Sequence, residues 1–126
     1  MNNEWNRILE YATSLVNAGA DHPFDEDFVT TVLRHTDTGK WFGLLMSVSK
    51  SKVGLDGDGQ IGVLNLKCDI EDSFIVREMF DAIIPAYHMS KKHWISVILN
   101  GTVPFDMTKT LIDASYDLTK KGGRKK

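Results

Sequence analysis

Cysteine, proline and long apolar runs are all scarce in this chain, and each shortage excludes something. A single cysteine, Cys68, leaves no partner for an intramolecular disulfide. A lone thiol within an apolar strand pattern points instead to a reducing compartment. No stretch approaches the roughly 20 apolar residues that a membrane-spanning helix requires. Met1-Asn2-Asn3-Glu4-Trp5 offers neither the basic start nor the apolar core of a secretion signal. A cytoplasmic protein with no membrane partner is therefore expected. With 126 residues and 42% hydrophobic content, the chain is long enough to fold as one domain and bury about two thirds of its unfolded surface.

Positive charge is also scarce until the end. Five of the fifteen Lys and Arg lie from Lys120 to Lys126, while all seventeen acids precede them. Residues 1–119 thus carry ten positive and seventeen negative charges, a balance of −7, and the tail carries +5. So acidic a body has no global attraction for phosphate, and nucleic-acid binding must rest on a local basic patch or on the tail.

Periodicity supplies the elements. Trp5, Ile8, Leu9, Ala12, Leu15 and Val16 recur at helical steps and predict a helix from Glu4 to Asn17. A polar turn with Pro23 follows. Phe28 to His35 and Trp41 to Val48 read as strands joined by the hairpin turn Asp37-Thr38-Gly39-Lys40. Phe42, Leu44, Met46 and Val48 share one face by alternation, with Trp41, Gly43, Leu45 and Ser47 on the other. The glycine-rich Lys50 to Gln60 connection predicts an extended hairpin leading into a strand from Ile61 to Cys68. A helix capped by Asp69 then presents Ile70, Phe74, Ile75, Met79 and Phe80 as an apolar face, and Ile83-Ile84-Pro85 stops it. A final helix is capped by Asp106, with Met107, Leu111, Ile112, Ala114, Ser115 and Leu118 along its stripe. Residues 1–121 form one domain in this reading, and 122–126 a disordered basic tail. The class is α+β: a single antiparallel sheet with helices packed on one face.

The stretch from Ala86 to Gly101 concentrates functional side chains. Tyr87, His88, Lys91, Lys92, His93 and Trp94 fall within eight positions and run straight into a strand, in which Ile95, Val97 and Leu99 face one way and Trp94, Ser96 and Ile98 the other. Metal and catalytic patterns are weaker. His22 before Pro23 reads as a turn residue rather than a ligand. Asp56-Gly57-Asp58-Gly59 resembles the middle of a calcium loop, but Gly54 and Asn65 stand where its first and twelfth ligands are needed. His88 and His93 have no oriented carboxylate or glycine-framed nucleophile beside them, so neither an enzyme nor a cofactor is expected.

The motifs His22-Pro23-Phe24, Lys40-Trp41-Phe42, Leu64-Asn65-Leu66-Lys67-Cys68, Tyr87-His88-Met89-Ser90-Lys91-Lys92-His93-Trp94 and Ser115-Tyr116-Asp117-Leu118 occur in this order. In them the chain resembles the MmcQ/YjbR family over residues 4–120. Ala86, Ser90 and Ile95 depart from the family pattern, where glycine, asparagine and asparagine are common. The resemblance implies a frataxin/CyaY-like fold with a double-wing arrangement and a non-enzymatic DNA-binding role. On this chain the Lys50 to Gln60 hairpin would be one wing and the Tyr87 to Trp94 turn the other basic element. Frataxin-type iron binding is not carried over, because the first helix shows only Glu4 and Glu10.

The expected site is therefore Lys50, Lys52, Lys67, Tyr87, His88, Lys91, Lys92, His93 and Trp94: lysines for phosphates and aromatics for stacking. DNA is the expected partner, bound weakly and with little sequence preference, since the central stretch holds no arginine. The alternative is a protein-interaction or small-ligand module using the same tryptophan-bearing face.

Overall fold

The computed structural model describes residues 3–24 and 29–122. The elements run α1 (Asn3–Thr13), β1 (Ala18–Asp21), β2 (Thr31–His35), β3 (Trp41–Ser49), a 3-10 turn (Lys50–Val53), β4 (Gln60–Lys67), α2 (Ile70–Met79), β5 (Ile83–Pro85), β6 (Trp94–Ile98) and α3 (Phe105–Thr119). All six strands join one sheet in the order β1-β2-β3-β4-β6-β5, and every pairing is antiparallel. The α+β class expected from hairpin-length connections is what forms. The tail reading falls, beyond Gly122, outside the described residues, as does the start of the strand expected from Phe28.

Register sorts the sheet into two faces. Leu45, Leu64, Val97 and Ile83 lie in one cross-strand row, and Leu44, Asn65, Ser96 and Ile84 lie in a row of the opposite face. The first face packs against α1 and α3. Trp5 of α1 enters where Gly62 leaves room, since a Cβ at Gly62 would stand 3.2 Å from the indole ring. Trp5, Ile8, Ala12, Leu111 and Ile112 are buried there with Leu33, Leu66, Ile95 and Leu99. Fully burying a large aliphatic side chain contributes about 1.5 to 3 kcal/mol, so this layer dominates the stability.

A bulge changes which side chains belong to which face. Leu33 pairs with Gly43 but Arg34 pairs with Trp41, leaving Phe42 as the extra residue. Simple alternation puts Phe42 with Leu44 and Trp41 with Leu45, and the bulge reverses both. Phe42 turns beneath α3, its ring centroid 5.1 Å from His35 and 5.5 Å from Tyr116. Trp41 joins the opposite face with Arg34. The ladder interrupted at Phe42 is completed by α3: the Ser115 hydroxyl donates to the Phe42 carbonyl at 2.5 Å and accepts the Lys67 N–H at 2.9 Å.

Other local expectations shift for identifiable reasons. Helix α1 ends at Thr13 and not Asn17, and the Thr13 and Ser14 hydroxyls bond back to the Leu9 and Tyr11 carbonyls. Ala18–Asp21, read as a turn, is an edge strand. Nothing in Ala-Gly-Ala-Asp favours a strand; pairing with β2 imposes it. The chain from Lys50 to Gln60 is a compact connection and not a projecting hairpin, because Val53 is buried and Leu55 packs on the core. The N-cap of α3 is Pro104 and not Asp106, which lies in the first turn. Helix α2 buries only Ser73 and Val76, with Phe80 half-buried beyond it. Phe74, Ile75 and Met79 are 60%, 57% and 56% exposed, so the expected apolar face of α2 looks outward.

The buried polar anchor of α3 is His35. The Thr119 hydroxyl donates to the Ser115 carbonyl at 2.7 Å, so it accepts from His35 at 2.8 Å, which requires a proton on Nε2. Burial pushes the His35 pKa down; Asp37 opposes this, while Lys40 and Lys120 add to it. The unfolded chain therefore binds more protons in mild acid. Stability is complete above about pH 6.5, the unfolded value, and is lost as pH falls below it. Urea denaturation at a series of pH values is expected to show this loss as pH falls below the unfolded value of about 6.5. His35→Gln, which keeps a donor for Thr119, should flatten it.

Candidate nucleic-acid interface

The sheet face opposite α1 and α3 is covered by a loop, and loops bring backbone polar groups that must be satisfied. Asn65 of β4 and Ser96 of β6 are cross-strand partners, both fully buried. The Ser96 hydroxyl donates to Asn65 Oδ1 and accepts the Tyr87 N–H at 2.9 Å, while Asn65 Nδ2 donates to the Tyr87 carbonyl at 2.8 Å. Both backbone groups of Tyr87 are thereby held by side chains of the sheet. The connection between β5 and β6 is laid across the face as a result, with Tyr87 and Met89 partly buried against the core.

His88, next in the chain, adopts φ 64°, a left-handed conformation that costs a non-glycine residue roughly 1 kcal/mol or more. Its ring lies 3.9 Å from that of Tyr87. These two side chains, Lys52, Gln60 and Met46 line a shallow groove of about 360 Å³. The loop closes on itself, Lys91 Nζ donating to the Ala86 carbonyl at 2.7 Å and the Trp94 N–H to the Ser90 carbonyl at 3.0 Å. Lys92 and His93 are exposed beside it.

A second group forms at one end of the same face. Arg34 pairs with Trp41, and Lys67 pairs with Trp94, each two residues along its strand from the Val32, Asn65 and Ser96 positions of that face. Trp41, Lys67 and Trp94 therefore project from three consecutive strands on one side, all three half-buried. Phe24 meets the Trp41 ring edge-on at 6.2 Å. Arg34 is committed to Asp21 through a two-pronged ion pair, 2.8 and 3.2 Å.

Of the nine residues expected from sequence, Lys52, Tyr87 and His88 meet at the groove. Lys50 opens the 3-10 turn beside it. Lys67 and His93 line a different concavity of about 510 Å³ with Cys68, Asp69, Ile70, Glu71 and Leu118. Trp94 adjoins Lys67 by strand pairing. Lys91 is present, but its ammonium is tied to the loop backbone. Asn65 and Ser96 escaped the site reading, although a polar residue amid apolar neighbours in each of two strands was the available signal.

Burial raises the Cys68 thiol to about 11, with Asp72 and Asp69 adding to the rise. It is protonated at neutral pH. His88 and His93 line separate concavities. Among the described residues no group of three or more His, Cys, Asp or Glu could hold a metal ion.

The sequence model of the YjbR family matches residues 13–118. The uncharacterised protein YyaQ of Bacillus subtilis is 42% identical over 113 residues, 90% of this chain and 95% of its own length. The uncharacterised protein YjbR of Escherichia coli K12 is 25% identical, over 86% of this chain and 80% of its own. A crystal structure from Pseudomonas syringae superposes with a TM-score of 0.86 at 37% identity, covering 95% of this chain and 100% of that one. A Deinococcus radiodurans crystal structure has a TM-score of 0.71 at 30% identity, covering 96% and 82%.

The buried Asn65–Ser96 pair generates a prediction. Ser96→Ala leaves the Tyr87 N–H without its acceptor and takes the donor from Asn65 Oδ1, at an expected cost of about 1 to 3 kcal/mol in urea denaturation. Hydrogen exchange should rise further at Tyr87 and His88 than at the Leu64–Val97 ladder, where it follows the global loss of stability alone. Uniform loss of protection would show that the pair holds the sheet as a whole, not the loop.

Proposed function

The chain belongs to the YjbR family, and on that premise we propose that it is a non-enzymatic, cytoplasmic DNA-binding protein that engages single strands better than duplex. The observation carrying this reading is the row of Trp41, Lys67 and Trp94 on adjacent strands of one sheet face. Two half-buried indoles flanking an ammonium offer stacking surfaces and a phosphate contact at neighbouring positions, and base–indole stacking is tolerant of sequence. Lys50 and Lys52 on one side and Lys92 on the other, with the His93 ring beside it, extend the positive charge along the same face and its rim. Lys91, tethered to Ala86, adds charge but not a free contact. A protonated Cys68 thiol and the separation of His88 from His93 support binding without catalysis.

Of the four lysines on this face and the five basic residues of the tail, about three to five are expected to contact phosphate at once. Affinity should therefore be weak and fall with salt along a log-log slope of roughly −3 to −5. Base-specific readout is not expected, because lysine meets phosphate as a point charge and, among the described residues, the arginine on this face is paired with Asp21.

Fluorescence anisotropy with labelled single-stranded and duplex DNA across a salt series tests this. The intact chain is expected to bind single strand more tightly, with quenching of tryptophan emission. Trp94→Ala should weaken single-strand binding by about 1 to 3 kcal/mol. Lys67→Glu with Lys92→Glu should abolish binding at moderate salt. If intact protein fails to bind even at low salt, or if these variants bind as well as it does, the nucleic-acid reading falls and the tryptophan-bearing face becomes a candidate protein contact.

A further inference from the structure

Beyond its first turn, helix α2 takes no part in the surface described so far, yet Phe74, Ile75 and Met79 on it are each more than half exposed. Ile75 and Met79, one turn apart, are 57% and 56% exposed. Met79 forms one wall of a groove of about 470 Å³, whose apolar lining continues through Leu55, Phe80, Ala82 and Ile98. The groove is large enough for one bulky side chain. Asp81 lines it directly, and Glu78 stands on the last turn of α2. Asp56 and Asp58, both exposed, follow Leu55 in the chain.

The charge around this groove decides what could fill it. Its wall is the C-terminal end of α2, where the helix macrodipole contributes roughly half a negative charge. Among the described residues no lysine or arginine lines it. Arg77, the basic residue in the last turn of α2, lies over the Phe74 ring at 4.9 Å and donates to the Ser73 carbonyl and hydroxyl. An apolar floor with Asp81 as its charged lining residue, at the negative end of a helix, disfavours nucleic acid and acidic peptides. A second copy in an isologous pairing would set acid against acid. The area also argues against it, since a helix about 15 Å long offers a strip of a few hundred Å², well below the about 800 Å² per partner of a standard interface.

We propose that the groove bounded by Met79, Leu55 and Ala82 is a docking site for a basic peptide segment of a partner protein. The segment sets an apolar anchor into the groove and a lysine or arginine against Asp81 and Glu78. This surface is independent of the nucleic-acid reading, and its charge is of the opposite sign.

The test uses the full chain and a fluorescein-labelled peptide of lysines and arginines around a central Trp-Leu pair. Two controls accompany it: the same peptide with glutamate for every basic residue, and one with serine for Trp and Leu. The basic apolar peptide should bind saturably, and neither control should. Ile75→Ser with Met79→Ser, both exposed positions, should weaken binding by at least about tenfold at unchanged melting temperature. Asp81→Lys with Glu78→Lys should do the same and remove the salt dependence. Amide shifts should centre on Ala82, Asn100 and Thr102. Absence of saturable binding overturns the proposal. So does binding that the Ile75/Met79 variant leaves intact, a shift pattern centred elsewhere, or sedimentation showing self-association that this variant abolishes.

Discussion

A single layer of helices covers only one face of a six-stranded sheet, and the other face must still be removed from water. Here that task falls to the connection between β5 and β6, which can lie flat on the strands only if its backbone finds hydrogen-bond partners there. Asn65 and Ser96 supply them, bonding each other and both polar groups of Tyr87. Neutral hydrogen bonds contribute only about 1 kcal/mol each, but an unmade buried one costs more, so the pair specifies the path of the loop more than it adds stability. The position of Tyr87, the left-handed His88 and the groove they share with Lys52 all follow from it.

The junction between β3, β4 and α3 solves a related problem. The bulge at Phe42 breaks the ladder where the sheet begins to curve beneath α3, and Ser115 restores it by standing between the Phe42 carbonyl and the Lys67 N–H. Moving Phe42 under the helix completes an aromatic cluster with His35 and Tyr116. Moving Trp41 to the other side aligns it with Lys67 and Trp94. Core packing and the assembly of the candidate interface are thus two consequences of one inserted residue.

Charge is distributed as unevenly as apolar surface. The face bearing the tryptophans gathers most of the lysines that precede the tail, while the α2 edge carries Glu71, Asp72, Glu78 and Asp81 around exposed apolar side chains. A net charge of −2 therefore conceals an uneven distribution, with lysines gathered on one surface and acids on another.

The sequence by itself determined the class, the three helices, the hairpin turn at Asp37–Lys40, the inward alternation of Ile95, Val97 and Leu99, and family membership. Each is encoded within a few consecutive residues, as a period, a turn dipeptide or an ordered motif. The concentration of aromatic and basic residues from Tyr87 to Trp94 was legible for the same reason. Tertiary structure decided the rest: that Ala18–Asp21 is a strand, that Trp41 and Phe42 exchange faces, that Lys91 is tethered, that α2 turns most of its apolar residues outward, and that Asn65 and Ser96 hold Tyr87. Apart from the Lys91 tether, which reaches back five residues, the hydrogen bonds concerned join partners 9 to 73 residues away along the chain, and local patterning cannot say which distant backbone group a buried hydroxyl or amide will meet.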